Sequence, residues 1–179
     1  VITRSIRYEN NGSETILLKI CMSATVDFFG TDKKVLNLYG DWAQERNIEW
    51  REVGHSITEI DSKRGMSSHM RNPFIAIADK TADENIGDVY AMSLVYSGSF
   101  SASTEGSFVG GTRMNIGINP FDFGWELKSK EDFVTPEAVL VYSDSGLGKM
   151  SRIYHKIYRE RLCRGKFRDA ERPTIINNW

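Results

Sequence analysis

Short runs of alternating apolar and polar residues, broken by glycine, proline and asparagine, fill the first three quarters of this chain. Side chains two residues apart lie on the same face of a β-strand, so this alternation predicts strands with one buried face. Several runs are separated directly by Gly or Pro, which favours an antiparallel sandwich over alternating βαβ units. Strands are predicted at residues 1–8, 14–23, 34–39, 47–53, 55–60, 74–78, 88–96, 99–103, 113–118 and 138–142, and the last of these runs is continuously apolar rather than alternating.

Two segments between these runs carry the composition of turns. The Asn-Asn-Gly-Ser sequence at residues 10–13 is typical of a hairpin turn, because asparagine and glycine accept a positive φ. Residues 106–111 are glycine-rich, but they lack the Gly-Lys-Ser/Thr of a phosphate-binding loop and do not open a helix. We therefore expect a hairpin at the first segment and a simple turn at the second.

The pattern changes near Gly146, where the spacing of apolar residues becomes helical. Between residues 148 and 162 these residues recur at intervals of three and four, which predicts an amphipathic helix. They are Met150, Ile153, Tyr154, Ile157, Tyr158 and Leu162. The opposite face is basic and is interpreted as a solvated surface, and Gly165 is a natural stop. A charged linker at residues 166–173 then leads into an apolar Thr-Ile-Ile run that begins a new strand.

Both ends of the sequence have the pattern of strands. The first eight residues alternate without an initiator methionine, and the last residues open a further extended run. An isolated strand at a chain end leaves an unpaired edge, which folded domains avoid. We therefore expect this sequence to be a portion of a longer polypeptide.

Composition excludes several classes of protein. The chain of 179 residues has 23 Lys and Arg against 24 Asp and Glu, a formal net charge of −1 that argues against a nucleic-acid partner. Its apolar runs are far shorter than the roughly 20 residues that cross a bilayer, so no membrane partner is expected. Cys21 and Cys163 are too few for a disulfide framework or a zinc site, and they fit a reducing compartment, so a cytoplasmic location is expected.

The residue types that carry chemistry show no catalytic spacing. His55, His69 and His155 lack the spacing of metal ligands, and Ser67 and Ser68 lack the Gly-x-Ser-x-Gly elbow of a hydrolase. The sequence therefore predicts no catalytic residue, no metal and no cofactor. Five carboxylates are expected to form or cap turns, namely Asp41, Asp61, Asp88, Asp122 and Asp144. Four tryptophans are expected to be core or interface residues rather than sugar platforms, namely Trp42, Trp50, Trp125 and Trp179.

Four stretches together resemble the microbial α-galactosidases of glycoside hydrolase family 36. They are RGMSSHMRNPF at 64–74, VYAMSLVYSGSF at 89–100, GINPFDFGW at 117–125 and TPEAVLVYSDSGL at 135–147, followed by YRERL at 158–162 and ERPTIINNW at 171–179. The resemblance covers essentially the whole chain in order. It implies that residues 1–145 are the later part of an N-terminal β-supersandwich domain. Residues 146–173 would be a connecting helix and linker, and residues 174–179 the first strand of a truncated (β/α)8 catalytic barrel.

The resemblance also implies a function. Members of this family hydrolyse terminal α-galactosyl residues of sugars such as melibiose and raffinose with retention of configuration, using two aspartates on later barrel strands. Those strands lie outside this sequence, so the chain by itself is expected to be inactive. By resemblance, Trp179 lines the galactose pocket and binds the α-galactoside substrate through an aromatic face. The full-length protein is expected to be a homo-oligomer.

Two other functions remain open at this point. A sandwich with four tryptophans is also compatible with an autonomous carbohydrate-binding module, although such modules usually have intact domain boundaries. A purely oligomerising domain is the second alternative. Titration with galactose or raffinose and light scattering at several concentrations distinguish these functions from a scaffold portion of a glycosidase.

Overall fold

The computed structural model of the protein describes residues 1–178. Their strands are β1 (Ile2–Arg4), β2 (Arg7–Glu9), β3 (Ile16–Leu18), β4 (Met22–Phe29), β5 (Lys33–Asp41), β6 (Gln44–Glu52), β7 (Thr58–Asp61), β8 (Arg71–Asp79), β9 (Val89–Leu94), β10 (Phe100–Gly106), β11 (Gly111–Ile118), β12 (Trp125–Leu127), β13 (Asp132–Val134) and β14 (Ala138–Ser143). One helix, α1 (Gly146–Ile157), follows and continues into a π-helical turn (Tyr158–Leu162).

Two antiparallel sheets form the body of the molecule. A six-stranded sheet has the order β1-β14-β9-β8-β5-β6, and a four-stranded sheet has the order β4-β11-β10-β7. Two small ribbons, β12-β3 and β13-β2, complete the strand pairing of the described residues. This architecture confirms the predicted mainly-β antiparallel sandwich with one C-terminal amphipathic helix.

The main core lies between the two large sheets. Val35, Ile77 and Met92 of the six-stranded sheet face Phe100 and Ile116 of the four-stranded sheet, and all five side chains are buried. Within a strand, this core takes alternate residues, such as Ile75 and Ile77 on β8, as the period of two requires. All five residues lie in predicted strands, and the structure adds which face of each strand is turned inward.

The outer face of the six-stranded sheet is also apolar, and α1 covers part of it. Met150 and Tyr154 of the helix are buried against a second cluster on this face. The strand residues of that cluster are mostly small, which lets the helix approach the sheet closely. They are Leu36, Ala76, Ala78, Val89, Ala91, Val139 and Val141. This second cluster explains why β8, β9 and β14 contain nearly continuous apolar runs, since both of their faces are buried.

The outer face of the four-stranded sheet is mostly polar, with the fully exposed Phe29 at the end of β4 as an exception. Asp27 on β4 and Arg113 on β11 form a two-pronged ion pair at 2.7 and 2.8 Å. Beside it, the hydroxyl of Thr25 donates to Oδ1 of Asn115 at 2.8 Å. A face laced by such cross-strand pairs is suited to contact with water.

The predicted hairpin at residues 10–13 is wrong. The strands on either side do not pair with each other: β2 pairs with β13 and β3 pairs with β12. The buried side chain of Asn10 donates to the carbonyl oxygens of Glu14 and Leu127 at 2.7 and 2.9 Å. The asparagine therefore ties this turn to a distant segment, a contact that no local pattern reports.

Other strand boundaries differ from the predicted ones in an instructive way. The run at residues 1–8 is divided into β1 and β2, because Ile6 between them exchanges hydrogen bonds with Thr135. Most of β4 was missed, although Ala24 and Val26 alternate inward, and the three-residue strands β12 and β13 were missed entirely. The predicted turn in the glycine-rich segment is confirmed between β10 and β11.

The helix is confirmed, and it begins two residues before the predicted start, at Gly146 rather than residue 148. Residues 174–178 form no paired strand, and their assignment to a barrel remains a prediction. Within the described residues, the search for a helix long and apolar enough to span a membrane finds none.

Candidate functional site

The residue predicted to bind substrate, Trp179, lies outside the described residues. The segment that leads to it, residues 164–178, is exposed throughout. The described element that fixes where this segment departs is α1, which packs on the six-stranded sheet. The candidate site is therefore the region where this helix packs on the sheet. It consists of two sets of contacts and an open groove beside the helix.

The first set holds the N-terminus of α1 against the loop between β8 and β9. The backbone N–H groups of Gly146, Leu147 and Gly148 donate to carbonyl oxygens of residues 87, 83 and 84, at 3.0, 2.9 and 2.9 Å. These are helix-start donors that otherwise lack a partner. Gly146 has a φ of +69°, and a Cβ atom there would lie 2.5 Å from the Asp83 oxygen. Only glycine fits this close approach without strain.

The second set is a pair of tyrosines that anchor the middle and end of the helix. The hydroxyl of Tyr154 donates to the Val139 carbonyl at 2.9 Å, and burial raises the pKa of this tyrosine far above its usual value. The hydroxyl of Tyr158 donates to Oγ of Ser93 at 3.0 Å, and burial raises its pKa as well. The two rings lie 5.6 Å apart, centroid to centroid. Both tyrosines therefore join apolar packing to a polar anchor on the sheet.

The third feature is an open groove beside the helix, with a volume of about 580 Å³. We call it the seam groove, and its principal lining residues are Leu38, Ile48, Phe74, Tyr158 and Leu162. Strands β5 and β6 extend the six-stranded sheet beyond the area that α1 covers. The groove lies between the helix and this β5–β6 hairpin. The π-helical turn forms the end of its helical wall. Such turns are frequent at functional positions.

Of the five carboxylates considered as possible catalytic groups, Asp88 and Asp144 lie opposite each other, next to the Val89–Ser143 pair that ends the β9–β14 ladder. Asp41 accepts the Trp42 N–H in the β5–β6 turn at 2.8 Å, and Asp61 pairs with Lys63 at 3.0 Å. Asp88 accepts the Tyr142 hydroxyl at 3.1 Å. Asp41 therefore caps a turn as predicted, whereas Asp61 at the end of β7 and Asp88 before β9 bind side chains instead of capping a turn.

The remaining two carboxylates also lie in turns. Asp122 has a positive φ of 54° between β11 and β12. Asp144 accepts hydrogen bonds from Lys149 and Ser145, which hold the pKa of its carboxyl below the usual value. Within residues 1–178, no three His, Cys, Asp or Glu side chains lie together in a way that could hold a metal ion.

The serines and the histidine near β7 and β8 are structural. The hydroxyl of Ser67 donates to the Tyr96 carbonyl at 3.1 Å, and that of Ser68 accepts the Met70 N–H at 3.2 Å. Nδ1 of His55 lies 3.2 Å from the Gly106 carbonyl oxygen. These groups stabilise loops of the sandwich, and none is arranged as a nucleophile with its base.

The motifs that carry the family resemblance contain buried hubs of hydrogen bonds. Asn119 is almost fully buried, and its Nδ2 donates to the carbonyls of Ser62 and Phe100 and to Oδ2 of Asp61 at 3.0 to 3.1 Å. The buried hydroxyl of Ser143 donates to the Gly146 carbonyl at 2.8 Å. The side chains of these motifs therefore specify turns of the scaffold.

None of the three described tryptophans is a core residue, although the prediction allowed either a core or an interface position. Trp42, Trp50 and Trp125 are 81%, 36% and 46% exposed. Trp42 lies at the tip of the β5–β6 hairpin, where a residue can point only outward. Trp50 lies under the Lys34 ammonium, 4.0 Å from its ring centroid. Their assignment to interfaces, the other half of the prediction, remains a prediction.

Comparison with known proteins identifies the scaffold. The profile of the glycosyl hydrolase family 36 N-terminal domain matches residues 1–128, and the Melibiase profile matches residues 132–179. Over all 179 residues the chain is 52% identical to alpha-galactosidase AgaA of Geobacillus stearothermophilus. The chain belongs to glycoside hydrolase family 36. It corresponds to the N-terminal portion of family members, because it spans 25% of the length of AgaA.

Other members of family 36 agree. Alpha-galactosidase Mel36A of Lactobacillus acidophilus is 40% identical over the whole chain, which covers 24% of that protein. A crystal structure of a doubly substituted AgaA variant in complex with raffinose superimposes with a TM-score of 0.95 at 51% identity, covering 99% of this chain and 25% of that one. The galactosidase domain of AgaSK, an alpha-galactosidase–sucrose kinase, gives a TM-score of 0.92 at 39% identity, covering 96% and 24%.

Sequence reasoning found the helix of the family 36 scaffold but missed the seam groove. Ile48 was assigned to an alternating strand without any sign that its side chain would stay half exposed. Leu162, which also lines the groove, is the last apolar residue in the helical spacing that predicts α1. In the sequence, both residues are apolar and lie near the ends of their predicted elements. This does not predict that they line the same groove.

Proposed function

We propose that this chain is the non-catalytic N-terminal portion of a retaining α-galactosidase that hydrolyses terminal α-galactosyl residues of sugars such as melibiose and raffinose. The observation that carries the proposal is the match along the entire chain to relatives named alpha-galactosidases. In this role the sandwich supports a catalytic barrel, and α1 with its linker joins the two.

The engaged state of the carboxylates supports the inactivity of the chain alone. A retaining glycosidase needs two carboxyl groups about 5–5.5 Å apart on opposite sides of the scissile bond. Asp61 at the end of β7 and Asp144 just after β14, for example, are each paired with a lysine. The catalytic pair of the proposal lies on the barrel, outside this sequence.

We propose further that Trp179 lines the galactose pocket of the complete enzyme. An indole ring can pack against the apolar C–H face of a galactose ring while polar neighbours fix its hydroxyls. Residues 171–178 before it are exposed, so in the chain alone the segment has no cover. The pocket would form only when the barrel strands assemble around this position.

The remaining parts of the proposal concern partners and location. We propose that the full-length protein is a homo-oligomer in the cytoplasm, with an α-galactoside as its small-molecule partner and neither nucleic acid nor membrane as a partner. The balanced charge and the two free cysteines, Cys21 and Cys163, support this assignment. Light scattering on the full-length protein and fractionation of cells test it.

The experiment that tests the function compares this chain with the full-length gene product on a chromogenic α-galactoside. We expect turnover with retained configuration from the full-length protein and none from residues 1–179. Trp179→Ala in the full-length protein should lower kcat/KM at least about tenfold, or about 1.4 kcal/mol of transition-state binding. Trp179→Phe, which keeps an aromatic face, should retain part of that activity.

Two results would contradict the proposal. Saturable binding of raffinose to residues 1–179 would favour a carbohydrate-binding module instead. A full-length protein that folds but does not cleave α-galactosides would remove the assigned reaction.

A further inference from the structure

We propose that Asn11 is a site of spontaneous covalent modification, where the side-chain amide is lost to give aspartate and isoaspartate, and that Lys130 accelerates this reaction. The inference goes beyond the proposed function and does not depend on it. It starts from the Asn-Gly pair at residues 11 and 12, which lies in the turn between β2 and β3. No other asparagine of the sequence is followed by glycine.

The reaction requires only the chain itself and water. The backbone nitrogen of Gly12 attacks Cγ of Asn11, so that a new C–N bond forms and the Cγ–Nδ2 bond breaks. The displaced nitrogen takes up the proton of the Gly12 N–H group and leaves as ammonia. Water then opens the resulting five-membered succinimide ring at either of its two carbonyl carbons, which gives aspartate or isoaspartate. Glycine favours the attack, because no side chain shields its nitrogen and its backbone adopts unusual geometries most easily.

The turn leaves one of its two asparagines accessible to this reaction. Asn11 and Gly12 are both exposed. Asn10 is only 5% exposed, and its side-chain amide donates to the carbonyl oxygens of Glu14 and Leu127 at 2.7 and 2.9 Å. Burial and these two hydrogen bonds fix the amide of Asn10, so reaction is expected at the second asparagine of the pair.

The ammonium group of Lys130 lies where negative charge develops during the reaction. Its Nζ donates to the backbone carbonyl oxygen of Asn11 at 3.0 Å. This oxygen belongs to the same peptide group as the Gly12 nitrogen, and resonance couples the two atoms. When the nitrogen loses its proton, part of the negative charge moves to the oxygen, where the ammonium stabilises it. Lys130 therefore increases the fraction of the Gly12 nitrogen that is ready to attack.

Two further contacts hold the reacting peptide group beside the loop that carries the lysine. The hydroxyl of Ser129 donates to the Gly12 carbonyl oxygen at 2.7 Å. The Gly12 N–H group donates to Oδ1 of Asn10 at 3.1 Å, which polarises this group in the direction of proton loss. The fold therefore holds both the nucleophile and the stabilising charge in place before the reaction begins.

Incubation of the full-length protein at mildly alkaline pH, followed by tryptic digestion and mass spectrometry, tests the proposal. Trypsin releases residues 8–19 as one peptide, and its fragment ions distinguish residue 10 from residue 11. We expect conversion to aspartate and isoaspartate at Asn11, with Asn10 unchanged. Asn85 is the internal control, because it is also exposed but is followed by the β-branched Ile86, whose side chain shields the backbone nitrogen. It should convert far more slowly.

Two substitutions of the lysine form a matched pair. Lys130→Met removes the charge and should slow the conversion about two- to fivefold, the effect of one charge that acts through water near the reacting atoms. Lys130→Arg keeps the charge and should retain most of the rate.

Gly12→Ala places a side chain beside the attacking nitrogen and should slow the conversion independently of the lysine. Thermal unfolding shows that each variant is folded before the rates are compared. A persistent amide at Asn11, conversion of Asn85 at the same rate, or an unchanged rate in Lys130→Met would each overturn the proposal.

Discussion

The two outer faces of the sandwich are built from opposite kinds of residue. The four-stranded sheet shows water a polar face, with the ion pair of Asp27 and Arg113 across two strands. The six-stranded sheet has an apolar outer face, which α1 covers over β9 and β14 but leaves open over the β5–β6 hairpin. The polar face is satisfied by its own side-chain pairs and by water, whereas the apolar face is buried only where another element packs on it.

This difference indicates which side of the scaffold makes contacts. A polar face has little to gain from association, because its groups already pair with each other and with water. The open apolar area over β6 gains free energy whenever a protein surface removes it from water. The predictions below compare positions on these two faces.

The largest effect is expected from truncating Leu36 of β5, which is 2% exposed within the second cluster on this face. Leu36→Ala should reduce the free energy of unfolding by about 2–5 kcal/mol, because it removes buried methyl groups and leaves a cavity. Ile48→Ala, on the uncovered part of the same face, should cost below about 1 kcal/mol in this chain. Urea denaturation monitored by tryptophan fluorescence measures both.

Measuring Leu36→Ala and Ile48→Ala in the full-length protein extends this comparison. If the catalytic domain covers the seam groove, the cost of Ile48→Ala should rise there toward that of Leu36→Ala. An equal, small cost of Ile48→Ala in both polypeptides would mean that this part of the face stays in contact with water.

The next effect concerns the attachment of the helix. Gly146→Ala combines a positive φ of 69° with a contact of 2.5 Å to the Asp83 carbonyl oxygen, so we expect a loss of roughly 2–3 kcal/mol. Gly165→Ala is the matched control, since its φ is 78° but no atom lies within 4 Å of the added Cβ. The control should lose about 1 kcal/mol or less. Thermal unfolding measures the loss of stability in both variants. Equal losses would show that the close approach of Gly146 to the loop is unimportant.

The sequence was sufficient for the parts of the fold that follow a local period. The short apolar runs around Val35 and Ile77 placed both in strands, and the helical spacing of Met150 and Tyr154 predicted α1. The division of the first run at Ile6 was not predictable, because it depends on an exchange of hydrogen bonds with Thr135 far along the chain. Local patterns report which face is buried but not which segment buries it.

The candidate site was less accessible from the sequence for the same reason. The helix was identified, but the groove beside it exists only because β6 lies at the edge of the six-stranded sheet. Edge position is a property of strand order, which periodicity does not encode. The family resemblance supplied Trp179 and the expected reaction, whereas the exposure of Ile48 and Leu162 required coordinates.

A smaller effect is expected at the buried tyrosine that anchors the helix. Tyr154→Phe removes a hydroxyl that donates to the Val139 carbonyl at 2.9 Å, so the free energy of unfolding should fall by about 1–2 kcal/mol. Burial raises the pKa of Tyr154 above its unfolded value of 10.0, so its contribution is complete below pH 10 and is lost as pH rises further. Stability of the unmodified chain should therefore fall more steeply above pH 10 than that of Tyr154→Phe. Parallel slopes in denaturation at pH 9 to 11.5 would contradict this assignment.

The smallest effect is expected on the polar outer face. Hydrogen bonds from Arg113 lower the pKa of Asp27, so the pair contributes above the unfolded pKa near 3.8 and is lost as pH falls below it. Because both side chains are exposed, Arg113→Ala should change stability by only a small fraction of the Leu36→Ala loss. High salt should reduce even this difference, since water and ions screen the pair. If Arg113→Ala lowered the free energy of unfolding as much as Leu36→Ala does, the polar face would contribute to stability as much as the apolar one. The proposed difference between the two faces would then be wrong.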